Sequence, residues 1–232
     1  MSPAIRWRAS PNHDARAEGV DMLILHYTGM VSAEAALDRL CDPAARVSAH
    51  YVIEEQGATW QLVDEERRAW HAGVSRWRGA PLVNGRSIGI ELVNPGHEFG
   101  YRPFPAAQID ALIKLCRAIL ARHPIPPRHV LGHADVAPAR KEDPGELFPW
   151  QQLAAEGIGL WPQSLPDAAA GWPAIARDLA AFGYDIGSGT PADPALKLAL
   201  IAFQRHWRQR LCDGVPDHES AAQLGGLRAL ID

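Results

Sequence analysis

Three side chains of this sequence are of the types that hold a catalytic metal. His26 stands in LHYT, His133 in GHAD and Asp143 in KEDPG, each where a strand or loop ends. Two imidazoles and one carboxylate, with a fourth position left for water, make an open zinc set rather than a closed structural one. Two further charges lie close in sequence or in kind. Lys141 precedes Asp143 by two residues, a spacing that in an extended loop aims both side chains to one side. Glu91 sits inside the apolar run IGIELV, where a carboxylate ordinarily occupies the polar face of a half-buried strand. Spacing alone does not bring His26 near His133. A single histidine at a strand end is more often an ordinary core or surface residue, and Lys141 read alone is a solvated member of the charged RKED run.

The elements that must position these groups follow from periodicity. MLILHY (Met22–Tyr27) is short, apolar and bounded by Thr-Gly, which predicts a buried strand. Val31–Leu40 has helical spacing with Ser32 as N-cap. His50–Glu54 and Thr59–Val63 read as two strands joined by a turn at Glu55-Gln56-Gly57-Ala58. Ile88–Val93 is a further strand, stopped by Asn94-Pro95-Gly96, and Pro105–Arg122 is a long helix. His129–Leu131 enters another strand before Gly132. Alternating strands and helices predict an α/β fold, a central mixed sheet flanked by helices. The Gly- and Pro-rich stretch 157–171 reads as a linker. Beyond it, Pro173–Phe182, Pro194–Gln209 and Asp217–Leu230 have helical period and form a small C-terminal three-helix bundle. The expected division is therefore 1–156, 157–171 and 172–232.

The stretches LILHYTGM, VSAHYVIEEQGATWQLVDEERRAWHAGVS, SIGIELVNPG and HVLGHADVAPARKEDPGELFPW carry a family resemblance over about residues 20 to 150. In content, order and spacing they resemble the zinc-dependent N-acetylmuramoyl-L-alanine amidases and peptidoglycan recognition proteins. The branch with an added C-terminal peptidoglycan-binding module is the nearest likeness. GYDIG, LKLALIAFQRHW and DGVPDHESAAQL resemble that module, although a bundle that merely packs on the amidase has the same period. The resemblance implies one Zn²⁺ per chain held by His26, His133 and Asp143, with no departure at any of the three. It implies Glu91 as general base or water positioner and Lys141 as stabiliser of the oxyanion. The implied reaction cuts the amide between the lactyl group of N-acetylmuramic acid, or its 1,6-anhydro form, and L-alanine. His50 and His71 match recurrent positions near the substrate cleft, where each is either a substrate contact or a packing histidine. Trp70 and Trp77 are core or cleft wall, and Asn94 and Arg140 are expected polar contacts. His13, His97, His123, His129, His206 and His218 are read as ordinary.

Composition narrows the rest. A formal charge of −4 without any basic run argues against nucleic acid as partner; the resemblance implies peptidoglycan or muropeptides instead. No stretch approaches the roughly 20 apolar residues of a membrane span. Three cysteines, none in a Cys-x-x-Cys pair, suggest neither a disulfide framework nor a thiolate metal site. With a start that lacks an apolar export signal, they favour a cytoplasmic role in cell-wall recycling, the alternative being a periplasmic enzyme that trims the sacculus. Two other classes compete, a non-catalytic peptidoglycan sensor and a zinc peptidase of the stem. The absence of a His-Glu-x-x-His helix weakens the second. Oligomeric state is not legible.

Overall fold

The computed structural model describes residues 5–231; the first four residues and the last, inside the expected 1–156 and 172–232 regions, lie outside them. The strands are β1 (Arg6–Trp7), β2 (His13–Ala15), β3 (Met22–Tyr27), β4 (Tyr51–Ile53), β5 (Thr59–Gln61), β6 (Arg67–Ala69), β7 (Arg76–Trp77), β8 (Ala80–Pro81), β9 (Ser87–Leu92) and β10 (Val130–Gly132). The α-helices are α1 (Ala33–Cys41), α2 (Gly96–Phe99), α3 (Ala106–Arg122), α4 (His133–Val136), α5 (Trp150–Ala155), α6 (Trp172–Phe182), α7 (Pro194–Trp207) and α8 (His218–Ala229). The expected elements all form, with ends shifted by a residue or a few. His129 is the clearest shift, because Pro127–His129 closes a 3-10 turn before β10 begins.

Six strands make one mixed sheet in the order β1-β5-β4-β9-β3-β10, in which only the β4–β5 pair is antiparallel. Side chains alternate across a sheet with a period of two, so the register divides the residues between two faces. Leu23, Leu25, Ile88, Ile90 and Leu92 point to one face and pack with Ile109, Leu112, Cys116 and Ile119 of α3. Met22 and Ile24 point the other way. They share an apolar cluster with Trp77, Leu131, and Leu179, Phe182, Leu200, Phe203, Leu224 and Leu227 of the C-terminal helices. On that second face α1 covers the β4 side, through Leu37 and Leu40 against Val52 and Leu62.

The helix ends follow local chemistry. Ser32 caps α1 by accepting the Ala35 N–H, and Asp193 and Asp217 do the same for α7 and α8. The stretch 157–171 is irregular, and its Leu160, Trp161, Ala168 and Ala170 pack against the shared cluster. Gly225 and Gly226 of α8 lie so close to Pro166 and Pro162 that a Cβ on either would clash. No helix among the described residues is long and apolar enough to cross a membrane.

Glu65 pins the start of β4, at Tyr51, to the end of α3. Its carboxylate accepts from the Tyr51 hydroxyl (2.8 Å), from Arg122 (2.7 Å and 3.1 Å) and from His123 (2.8 Å). Burial alone would raise its pKa, but the hydrogen bonds from Arg122, His123 and Tyr51 outweigh that and bring it down to about 2. A carboxylate depressed on folding stabilises the native state above its unfolded pKa, and that stability is lost as pH falls toward the folded value. We expect Glu65→Gln to lower stability at neutral pH by on the order of 2 kcal/mol. Urea-unfolding midpoints of variant and wild type should converge as pH falls from about 5 toward 2; a gap independent of pH would contradict this account.

Candidate metal centre and active-site cleft

β3 and β9 run parallel with His26 directly opposite Glu91, both on the face that α3 does not cover and both near the carboxyl ends of their strands. That edge is where open α/β sheets bind ligands. The third chain segment arrives through β10, whose end Gly132 leads straight into His133 at the start of α4. The fourth is the loop carrying Lys141 and Asp143. Its attachment is a backbone bond from the Ala134 N–H to the Asp143 carbonyl (2.9 Å). Close approach of this loop needs Gly132, where a Cβ would lie 2.7 Å from Pro144 Cδ, and the Asp143-Pro144 peptide is cis. The Tyr101 hydroxyl donates to the Pro144 carbonyl (2.7 Å) and accepts the Leu147 N–H (2.9 Å).

His26 Nδ1 lies 3.0 Å from His133 Nδ1 and 3.0 Å from Asp143 Oδ2, and the last two are 3.1 Å apart. All three residues are buried. Hydrogen-bond bookkeeping fixes where the imidazole protons sit. The Ala72 carbonyl can only accept, so His133 Nε2 carries a hydrogen toward it (3.0 Å) and neutral His133 leaves Nδ1 bare. Ser87 donates its hydroxyl to the Val83 carbonyl (2.7 Å), so its oxygen accepts from His71 Nε2 (3.0 Å). His71 Nδ1 then accepts from His26 Nε2 (3.0 Å), and His26 Nδ1 is bare as well. Two imidazole lone pairs and a carboxylate oxygen thus meet with no proton among them. Such a triangle repels itself without a cation at its centre. Its edges suit tetrahedral zinc, whose bonds of about 2.0–2.1 Å set ligands roughly 3.3 Å apart.

Burial and the neighbouring His133 lower the pKa of His26 to about 4, so it stays neutral near pH 7. Burial, with His26 next to it, holds His71 well below its ordinary range. Glu91 differs. Burial, reinforced by the Asp143 charge, pushes its carboxyl well above the usual range, while the Lys141 cation pulls the other way. Glu91 Oε2 is buried without a hydrogen-bond partner among the described residues.

His71, Glu91, His133 and Asp143 form the floor of a cleft of about 410 Å³, walled by Tyr27, Arg39, Trp70, His97, Arg140 and Lys141. Among the expected contact residues, Trp70 lines the cleft, and His71 lines it while tethering His26 from behind. Arg140 also lines it, with its guanidinium gripping the carbonyls of Ala72 (3.0 Å) and Val74 (2.5 Å) and so steadying the acceptor of His133. His50 is not a cleft residue. It is fully buried, its Nδ1 accepting the Gly89 N–H (2.9 Å) and its Nε2 facing the Arg67 carbonyl (3.1 Å). Asn94 is buried too: its amide donates to the Arg102 carbonyl (2.7 Å) and accepts the Gly96 N–H (3.0 Å), shaping the loop that ends at His97. Trp77 is core, edge-on to Phe182 and Tyr184. His97, read as ordinary, belongs to the wall, where it meets the Tyr27 hydroxyl (2.9 Å) and stacks on Tyr101. The signal for it was its place just past the strand that carries Glu91.

Gly89 leaves room for His71: a Cβ there would fall 2.4 Å from the His71 ring. Gly89→Ala should therefore displace His71 and release His26, weakening zinc binding about tenfold or more, the usual cost of losing an outer partner of a ligand. Chelator competition on a variant shown to be folded would measure it; wild-type affinity would contradict the tether.

A sequence profile of the family described as N-acetylmuramoyl-L-alanine amidase matches residues 16–146. N-acetylmuramoyl-L-alanine amidase AmiD of Escherichia coli is 40% identical, with 88% of this chain and 80% of that protein covered. The 1,6-anhydro-N-acetylmuramyl-L-alanine amidase AmpD of Haemophilus influenzae is 34% identical over 62% of this chain and 86% of its own. Among solved structures, AmiD in complex with anhydro-N-acetylmuramic acid-L-Ala-D-gamma-Glu-L-Lys is similar with a TM-score of 0.80 and 38% identity, over 96% of this chain and 91% of that one. AmpDh3 of Pseudomonas aeruginosa in complex with anhydromuramic pentapeptide has a TM-score of 0.80 and 34% identity, over 97% and 96%. With the profile spanning more than half of the sequence and AmiD matched over most of its own length, the chain belongs to the N-acetylmuramoyl-L-alanine amidase family.

Proposed function

We propose that this chain uses one zinc ion, held by His26, His133 and Asp143, to hydrolyse the amide between the lactyl group of an (anhydro-)N-acetylmuramyl peptide and its L-alanine. The observation that carries the reading is the meeting of three proton-free ligand atoms beneath an unpartnered Glu91 oxygen in one cleft. When bound, zinc supplies a Lewis acid that polarises the scissile carbonyl and acidifies water near neutral pH. Glu91 takes the proton of the attacking water at Oε2 and returns it to the leaving amine; its raised affinity for a proton suits both halves of that transfer. Lys141 holds positive charge beside the carbonyl carbon as its oxygen becomes an oxyanion. Trp70 offers an aromatic wall to sugar or peptide.

The muropeptide reading is supported by the relatives crystallised with anhydromuramyl peptides. A role in cell-wall recycling fits soluble anhydro-muropeptides as substrates, and three free cysteines suit a reducing compartment. We read residues 1–156 as the amidase body, 157–171 as a connector and 172–232 as a peptidoglycan-binding-like module. The helices after residue 171 support this division, as does the contrast between similar structures that cover 96% and 97% of this chain and AmpD of H. influenzae, which covers 62%. A complete ligand set speaks against a non-catalytic sensor.

Metal analysis should find one zinc per chain, chelation should abolish activity and added Zn²⁺ should restore it. A His133→Ala variant that kept full zinc and activity would remove the site. Glu91→Gln and Lys141→Met should keep zinc and lose about a hundredfold or more in rate. Product analysis should find peptide with a free L-Ala N-terminus; shortened stems would mean a peptidase instead. Faster turnover of intact sacculi than of anhydro-muropeptides would reject the recycling role.

A further inference from the structure

Both chain segments that carry metal ligands on the β10 side are held from behind by two consecutive residues of α7 and one tyrosine. Asp135 lies two residues past His133. Its Oδ2 accepts the Gly132 N–H (2.8 Å) and His206 Nδ1 (2.7 Å), and its Oδ1 accepts the Tyr184 hydroxyl (2.5 Å). Asp135, His206 and Tyr184 are at most 4% exposed. The His206 ring is clamped as well, stacked on Trp150 with centroids 3.6 Å apart. One residue earlier, Arg205 donates to Glu142 (3.1 Å), the residue between Lys141 and Asp143, and faces Glu146 at 3.8 Å. Gln209 adds a bond to the Phe148 carbonyl (2.7 Å).

The helical segment also packs against the sheet through a shared apolar cluster. A buried carboxylate at that junction adds little to stability, because its desolvation offsets the attraction of its partners. What such a network does supply is direction, since every hydrogen bond on Asp135 constrains the turn that presents His133. Losing Tyr184 and His206 would leave the Gly132 N–H as the sole donor described for a buried charge, which would then turn or hydrate.

We propose that the C-terminal helical segment sets the geometry of the metal centre, with Tyr184, His206 and Arg205 as positioning residues that act on His133 through Asp135 and on Asp143 through Glu142. This rests on the metal site proposed above and goes beyond any wall-binding role of the segment. The test uses the full chain with Tyr184→Phe, Arg205→Met and Arg205→Lys. Each protein is examined for its urea midpoint, zinc affinity by chelator competition, the absorption spectrum of its Co²⁺ form, and kcat and KM on a soluble anhydro-muropeptide.

Tyr184→Phe and Arg205→Met should bind zinc about tenfold more weakly, with an altered cobalt spectrum and a reduced kcat at nearly unchanged KM. Arg205→Lys should recover most of the loss. Wild-type zinc affinity and cobalt spectrum in Tyr184→Phe and Arg205→Met would overturn the proposal, even if their urea midpoints fell. If Tyr184→Phe fails to fold, the part-exposed Arg205 pair decides alone. A wild-type protein that binds neither metal would instead refute the site itself, a result distinguishable at the first measurement.

Discussion

Three lone pairs within about 3 Å of one another, with no proton between them, impose conditions on everything around them. Each imidazole must be held in the tautomer that bares Nδ1, so each needs an acceptor on its far side. For His133 that acceptor is a main-chain carbonyl, itself gripped by Arg140. For His26 it is a second histidine, whose own tautomer is dictated by Ser87. The requirement passes outward in this way until it ends on main-chain oxygens at Ala72 and Val83, groups whose polarity cannot be reversed.

The sheet makes this arrangement affordable. Parallel strands buried on both faces give the core two rows of apolar side chains, and the same alternation delivers His26 and Glu91 side by side at one edge. Burial keeps His26 and His71 neutral and Glu91 avid for a proton, so a single low-dielectric pocket produces opposite shifts in bases and acids. The helical segment closes the far side of the same face. Its contacts with the sheet are apolar; it meets the ligand-bearing turn both through Ala134 and Val136 and through hydrogen bonds to Asp135, and the ligand-bearing loop through Glu142.

Much of this was legible in the sequence where the physics is local. MLILHY is the strand at its expected bounds, Ser32 is the cap of its helix, and the long period from Pro105 is α3 with the proline as its N-cap residue. The face of Glu91 follows from Ile88 and Ile90 once the strand is granted. The meeting of His26, His133 and Asp143 was not legible from spacing, because it depends on pairings across 107 and 117 residues, and only the family resemblance supplied it. His50 and His71 look alike as residues in a string. Tertiary contact separates them: His50 turns its Nδ1 into the sheet at Gly89, and His71 lies under the cleft. Asn94 reads as a polar contact in the sequence, yet both ends of its amide are spent on its own loop. The helices after 171 were periodic enough to predict. Where they dock was not, since an apolar stripe does not name its partner and His206 gives no hint of Asp135.

The contact of His71 with Gly89 also has a bearing on how this sequence can change. A methyl group at 89 is intolerable while an imidazole occupies the space above it, and becomes harmless once that ring is replaced by something smaller. The two positions are therefore epistatic: the effect of either substitution depends on which residue the other site already holds, and single-site scans will misjudge both. Drift away from this pair has an order, with position 71 shrinking before position 89 can grow.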